Sequence, residues 1–315
     1  MEDRLITLGK PRKNADPAGR KPDWLKVKLP SGGGYVRTLE TIQSLGLNTV
    51  CEEARCPNIA ECWGGGTATI MLLGEMCTRG CRFCNVKTGN PGGVVEADEP
   101  RRVGNAIAKL GLSYVVLTTV DRDDLADGGA AHIAETIATI KRLNEKVLVE
   151  ALVGDFRGDA RGVRAILDAR PDVYAHNIET VERLTRTVRD ARSNYRQSLA
   201  TLAEAKKLSP RTITKSSIML GLGESEDDVV AAMRDLRAAG VDILTLGQYL
   251  RPTDWHLPVE RYVTPEEFDD WRAEGEAHGF AFVASGPLVR SSYKAGEYFI
   301  EHLLKNRANA VPSEH

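Results

Sequence analysis

The sequence predicts an α/β chain: a partial (β/α)6 barrel of the TIM type, preceded by a cysteine-bearing extension and closed by a C-terminal tail. From residue 67 onward six short apolar runs alternate with helical patterns, and several are continuous rather than alternating, as in strands buried on both faces of a parallel sheet. Repeated strand–helix units imply right-handed parallel crossovers. A length of 315 residues with 42% hydrophobic content suffices for one large core with appendages. Six units are too few for an eightfold barrel, so it is expected to be open on one side, with both ends of the chain free to cover the opening.

Taken in order, residues 1–22 read as a flexible arm, because GKPRKNADPAGRKP at 9–22 carries almost nothing apolar to offset the entropy of ordering. An extension over 23–66 follows, anchored by Trp24, Leu25 and Leu29, with Gly32, Gly33 and Gly34 marking a flexible or tight turn. The barrel occupies 67–280, with strands expected at 68–73, 114–118, 147–151, 173–177, 213–220 and 243–248. Ile133, Ile137 and Ile140 recur at helical spacing between them. Ser225 to Asp228 forms a capping-box pattern before Val229, Met233 and Leu236, closed by Gly240. Thr264, Pro265 and Glu267 open another helix, with Phe268 and Trp271 on one stripe. Residues 281–315 form the C-terminal segment. Chemistry in such a fold sits at the C-terminal strand ends, which singles out Thr119, Asp121, Glu150, Asn177, Glu179, Glu224, Gln248 and Tyr249.

Lys and Arg total 42 against 44 for Asp and Glu, a net charge of −2, so no global field calls for nucleic acid or a membrane. The first ten residues lack the apolar region of a secretion signal, and no apolar run reaches membrane-spanning length. The chain reads as cytoplasmic. Its six cysteines, at 51, 56, 62, 77, 81 and 84, crowd one short window, whereas a disulfide framework would be spread through a small domain. Clustered thiols in a reducing compartment point to metal.

Cys77, Cys81 and Cys84 have the spacing Cys-x3-Cys-x2-Cys directly after the first strand. Three thiolates hold three irons of a [4Fe-4S] cube and leave one iron open. An open iron suits a small chelating molecule such as S-adenosylmethionine, whose amino and carboxylate groups form a bidentate pair. A structural zinc site is the bland alternative, but it wants four Cys or His ligands and no histidine lies near in sequence. Gly80 suits a tight turn, and Phe83 reads equally as a cover for the cluster or a stack for adenine, or as an ordinary core anchor. Cys51, Cys56 and Cys62 form a second trio, Cys-x4-Cys-x5-Cys, also one ligand short of a complete set. With every cysteine used, its missing ligand must be another side chain, water or substrate.

The segments CEEARCPNIAEC, WGGGTATIMLLGEMCTRGCRFCNV and HNIETVERL, with the tail element RSSY, together resemble the lipoyl synthase family, from about Trp24 to about Leu304. The second motif alone would indicate only the radical S-adenosylmethionine superfamily; the upstream trio and the Arg-Ser-Ser make the resemblance specific. It implies a sulfurtransferase with two [4Fe-4S] clusters. One, on Cys77, Cys81 and Cys84, cleaves S-adenosylmethionine to a 5′-deoxyadenosyl radical. The other, auxiliary cluster, on Cys51, Cys56 and Cys62 with Ser292, or Ser291 as fallback, is the sulfur donor. Sulfur goes to C6 and C8 of an octanoyl chain on a carrier-domain lysine. Sequence alone would make both serines helix caps; only the resemblance reverses that.

The resemblance places Thr119 and Asp121 at the methionine amino group. Asn177 and Glu179 are candidates for the ribose hydroxyls, and Gln248 to Leu250 for the adenine. Arg183, Arg186, Arg189, Arg192 and Arg196 have a helical rhythm that usually means a solvated face; the specific alternatives pair Arg189 or Arg192 with the methionine carboxylate, or have the group steer an acidic carrier domain. Expected partners are octanoylated carrier domains (the glycine cleavage H protein and 2-oxoacid dehydrogenase E2 subunits), a flavodoxin or ferredoxin reductant and an iron–sulfur cluster carrier, with the chain a monomer. The rivals are another radical sulfurtransferase or methylthiotransferase, and a non-catalytic iron–sulfur carrier.

Overall fold

A computed structural model of the chain describes residues 16–27, 33–54, 56–64 and 69–292. The strands are β1 (Asn48–Thr49), β2 (Thr69–Leu72), β3 (Met76–Cys77), β4 (Lys87–Thr88), β5 (Tyr114–Thr119), β6 (Leu148–Leu152), β7 (Val173–Ala175), β8 (Ile213–Leu220), β9 (Ile243–Gln248) and β10 (Phe282–Gly286). Eight make one sheet in the order β1-β2-β5-β6-β7-β8-β9-β10, and β3 pairs with β4 in a small ribbon. All neighbours in the large sheet are parallel except β1, which runs antiparallel to β2. The helices between successive strands cover its outer face.

Among the described residues seven parallel strands therefore stand where the sequence reading has six. The added one, β10, is FVASG: two apolar residues followed by small ones, too short a run to separate from a loop. It moves the end of the barrel past 280, into the segment assigned to the tail. The sheet edges are β1 beside β2 at one end and β10 at the other, which leaves the barrel open between them.

Side chains alternate across the sheet. Tyr114, Val116, Val173, Ile213 and Ile243 pack inside with Leu148, Leu152 and Phe282, while Val115, Leu117, Val149 and Ala151 join the larger cluster beneath the helices. Glu150, flagged as a strand-end candidate, lies on the inner face with both oxygens on Lys215 Nζ, at 2.8 and 2.9 Å, and the Tyr114 hydroxyl donating at 2.5 Å. A buried pair completed in this way fixes strand register and offers no free group to a ligand.

The capping boxes at Ser225 and Thr264 form as the sequence predicts, opening helices Glu226–Ala238 and Pro265–Ala277. Other local expectations are revised. Gly33 and Gly34 lie inside helix Gly33–Ser44, while Gly32 is outside the described residues, as are Leu29 and the helix expected near Tyr293. Leu25 is fully buried, but Trp24 stays exposed. The described part of the arm is docked: Ala18 N–H donates to the Val259 carbonyl at 3.1 Å, and Asp16 pairs with Arg251 at 3.2 Å. The arginine rhythm is not one helix. A short helix, Thr185–Val188, ends before Arg189, and Tyr195–Leu208 begins anew behind an Asn194 cap. That break turns Arg189 inward, where it is buried.

Candidate active site

The loop 77–84 crosses the C-terminal ends of the strands, and backbone N–H groups point at its sulfurs. Cys77 Sγ accepts from Arg79 N at 3.4 Å and Asp121 N at 3.3 Å; Cys81 Sγ accepts from Asp190 N at 3.3 Å. A backbone N–H at Val86 does the same for Cys84. Donors aimed at sulfur favour the anionic ligand over the neutral thiol. Burial acts the other way, pushing Cys81 up to about 11 and Cys84 to about 12, and raising Cys77. In the metal-free chain these are protonated thiols, and cluster loading must displace their protons. Among the described residues no three His, Cys, Asp or Glu side chains converge on a single ion; a cubane needs no such convergence, since each thiolate takes its own iron.

Arg79, within this loop, is the residue the sequence reading missed. Only 3% exposed, it binds Asp123 through Nε and NH2, both at 2.9 Å, and Asp155 through NH1 and NH2 at 3.0 and 2.8 Å, with Asp121 3.6 Å away. Two bidentate pairs lock the loop to the ends of β5 and β6. Arg79 holds Asp155 at about 2, although burial alone would raise it. Asp121, with a longer contact, stays at about 6 because burial outweighs the pull of Arg79. Glycine at 154 is required here, since a Cβ would run into the Asp121 carboxylate. No spacing in the sequence links residue 79 to 123 and 155.

The other candidates gather around this loop to different degrees. Thr119 and Asp121 line a hollow with Arg79, Gly154 and Arg157. Glu179 adopts a left-handed backbone (φ 66°) and is raised by burial, and its carboxylate accepts from Asn177 Nδ2 at 3.2 Å. Asn177 Oδ1 is buried without a partner, an acceptor positioned for a donor the chain does not supply. Arg189 donates to the Ile178 carbonyl at 3.3 Å and Ser198 Oγ at 2.9 Å, close enough to Cys81 to favour its thiolate. Arg192 is half-exposed and bound to Asp190 and the Thr78 carbonyl, bracing the loop. The Gln248 amide is taken by four backbone groups, those of Leu220, Tyr249, Arg261 and Val263. Leu250 follows at the rim, half-buried. Phe83 packs with Val188, Leu222, Tyr249 and Val259. Glu224 spends its carboxylate on the N–H groups of Gly221 and Leu222.

The second trio sits at the open edge of the barrel. Cys51 lies in helix Val50–Glu53 and Cys62 in Ile59–Gly64, with Cys56 between. They line a hollow with Asn58, Ile59, Thr69, Arg290 and Ser292. Burial raises Cys51 and Cys56, while Arg290 draws Cys56 back toward the thiolate. Among the described residues, those after β10 are held beside the hollow by several contacts, including a 3.4 Å bond from Arg290 to the Gln248 carbonyl. Asn58 Nδ2 donates to the Leu288 carbonyl at 2.6 Å, and Gly247 lets the Val289 carbonyl lie where a Cβ would stand. Asn85 Nδ2 donates to the Glu53 carbonyl at 2.7 Å, joining the two cysteine segments directly. A set of three thiols, one hydroxyl and a neighbouring cation fits a cluster with one non-thiolate ligand.

Comparison with known proteins separates the superfamily from the family. The model for the radical SAM superfamily matches residues 71–236, and that for the N-terminal domain of lipoyl synthase matches 7–56. Lipoyl synthase from Anaeromyxobacter sp. (strain Fw109-5) is 60% identical over 288 residues, covering 91% of this chain and 98% of that one. The chain belongs to the lipoyl synthase family. The Thermus thermophilus enzyme is 57% identical over 302 residues (96% and 94% coverage), and mitochondrial lipoyl synthase from Culex quinquefasciatus is 58% identical over 300 (94% and 79%).

This lipoyl synthase is thus a radical SAM sulfurtransferase, and its superfamily carries a [4Fe-4S] cluster and uses S-adenosylmethionine. Solved structures bear out the partial-barrel fold. Methylornithine synthase (PylB) matches with TM-score 0.50 at 13% identity over 89% of this chain and 90% of that one, and the hydrogenase maturase HydG with 0.53 at 14% over 79% and 63%. No helix among the described residues is long and apolar enough to cross a membrane.

Proposed function

We propose that this lipoyl synthase binds one [4Fe-4S] cluster on Cys77, Cys81 and Cys84 and a sulfur-donating one on Cys51, Cys56, Cys62 and Ser292, and inserts sulfur at C6 and C8 of an octanoyl-lysine on a carrier domain. When bound, the clusters and S-adenosylmethionine supply reducing electrons, a carbon radical and sulfide. The protein's share is placement. Arg79 and Arg192 brace the cysteine loop, and backbone N–H groups stabilise its thiolates. Thr119 and Asp121 are assigned to the methionine amino group, with Asp121 the hydrogen-bond acceptor once ionised. Arg189 is assigned to the carboxylate, and Asn177 with Glu179 to the ribose, where the unpartnered Asn177 oxygen accepts a hydroxyl. Gln248 contributes backbone rather than its amide to the adenine wall that Leu250 and Phe83 complete. Ser292 provides a hard oxygen ligand, more readily released from iron than thiolate.

The observation that carries this reading is the hollow in which Ser292, far along the chain, meets the first three cysteines while a separate loop presents the other three. Expected substrates are octanoylated glycine cleavage H protein and E2 lipoyl domains, with a flavodoxin or ferredoxin reductant and a cluster carrier for reloading. The test is anaerobic reconstitution with iron and sulfide, then incubation with S-adenosylmethionine, dithionite and an octanoyl-lysyl peptide. Loading to about eight irons per chain, with a product mass raised by two sulfurs as the dithiol, is expected. Saturation at about four irons with no sulfur in the peptide would overturn it.

A further inference from the structure

The two cysteine trios differ in how charge is balanced around them. Beside the loop 77–84 arginine and carboxylate come in sets: Arg79 binds Asp123 and Asp155 at 2.9 and 2.8 Å, and Arg192 binds Asp190 at 2.8 Å. The hollow around Cys51, Cys56 and Cys62 has no Asp or Glu among its lining residues, but it has Arg290. Arg290 NH1 donates to the Val289 carbonyl at 2.7 Å and the Gln248 carbonyl at 3.4 Å, both neutral acceptors, and among the described residues no carboxylate pairs with it. Gly247 admits this arrangement, since a Cβ there would stand 2.1 Å from the Val289 oxygen and 3.4 Å from the guanidinium. Burial disfavours the charge on Arg290, and the group that favours it is Cys56. Lys21, on the docked arm, brings a second cation: burial and then the charge of Arg290 lower it, and no described carboxylate pairs with it either. Two such cations beside three thiols, with no acid between them, cost free energy unless an anion shares the hollow.

We propose that Arg290, with Lys21 behind it, is the counter-charge of the cluster on Cys51, Cys56 and Cys62, and that it raises the reduction potential of that cluster above the value its ligands alone would set. The inference rests on the two-cluster reading above. Three thiolates and a serine oxygen give a [4Fe-4S] unit a net negative charge, and each electron accepted adds to it. A cation held against the thiolates therefore favours loading, and favours the reduced form over the oxidised one. In a dithionite titration the electron comes from dithionite, which is oxidised as one ferric iron becomes ferrous; no bond or proton changes at Arg290. Ser292 lies two residues further on, so one short segment brings both the assigned oxygen ligand and the balancing charge.

The test uses the full chain carrying Cys77→Ala, Cys81→Ala and Cys84→Ala, loaded anaerobically with iron and sulfide so that only the hollow holds a cluster. The midpoint potential is read by dithionite titration followed by electron paramagnetic resonance. Arg290→Gln keeps a donor for the Gln248 carbonyl and removes the charge. It should shift the reduction equilibrium about tenfold toward the oxidised form, a fall of about 60 mV for one electron. Arg290→Lys should retain most of the potential, and Lys21→Gln, at an exposed position screened by salt, should lower it by less than Arg290→Gln does. An unchanged potential in Arg290→Gln would make the arginine a brace for the Gln248 carbonyl and overturn the proposal. Equal falls in Arg290→Gln and Arg290→Lys would do the same, since they point to shape instead of charge. If Arg290→Gln takes up no iron while Arg290→Lys loads, the charge is needed to hold the cluster and the proposal stands; if neither loads, it falls. Failure to load in the chain that keeps Arg290 would refute the second cluster itself, and its counter-charge with it.

Discussion

The loop 77–84 and the hollow around Cys51, Cys56 and Cys62 solve the same problem with different materials. The loop is fixed from within the barrel, by a buried arginine with two bidentate carboxylates and by N–H groups from neighbouring strand ends. The hollow is assembled from two short helices and completed by residues that follow the last strand, held among the described residues by the Asn58 amide, an Arg290 bond to the Gln248 carbonyl and a close backbone contact at Gly247. A rigid mount suits a cluster that must survive many turnovers. On the function proposed above, a mount completed by residues from beyond the last strand suits one that is consumed and rebuilt.

The sharpest way to break this comparison is to remove ligands. Cys77→Ala, Cys81→Ala or Cys84→Ala should abolish S-adenosylmethionine cleavage. Cys51→Ala, Cys56→Ala, Cys62→Ala or Ser292→Ala should leave 5′-deoxyadenosine formation measurable by chromatography but no lipoyl product by mass. Identical behaviour of the two sets would erase the distinction. Next in size is Arg79→Gln, which strands the buried carboxylates and should cost about 3–5 kcal/mol in denaturant unfolding. Cluster loss should fall on the loop of Cys77, Cys81 and Cys84, with about four irons retained.

Acid probes the rigid side more gently. His176 is held between the Val153 carbonyl at 2.8 Å and Ser198 Oγ at 2.9 Å, and burial pulls it down to about 4. Its folded value lies below that of the unfolded chain, so its contribution is intact above about pH 6.5 and drains toward pH 4 as the unfolded state takes up the proton first. Unfolding midpoints should fall by the equivalent of about 2 kcal/mol by pH 5, and His176→Gln should flatten that slope. The smallest effect is expected from Asn58→Ala. Losing the bond to Leu288 should cost about 1 kcal/mol and lower product yield with cleavage retained, as seen by assaying both from one reaction.

The sequence made one half of this legible and concealed the other. Cysteine spacing, apolar runs and capping boxes are local patterns, and each reappears in the fold: Ser225 and Thr264 cap their helices, and the strands fall where the runs are. β10 escaped because Ala284, Ser285 and Gly286 carry little apolar signal, its strand character coming from pairing with β9. Arg79 escaped because its partners lie 44 and 76 residues away. Arg192 and Gln248 look available in the sequence, yet loop bracing and a closed set of backbone bonds occupy them. The His256 contact to Cys84 spans 172 residues, so the absence of a nearby histidine in the sequence did not mean absence in space.

The position of Ser292 in the donor hollow also bears on biosynthesis. Translation delivers the three cysteines early and the serine only after every barrel strand has been made. A nascent chain therefore presents an unfinished pocket, which stays incomplete until β10 has paired and the polypeptide behind it has left the ribosome. On the function proposed above, insertion of the sulfur-donating cluster therefore follows completion of the barrel.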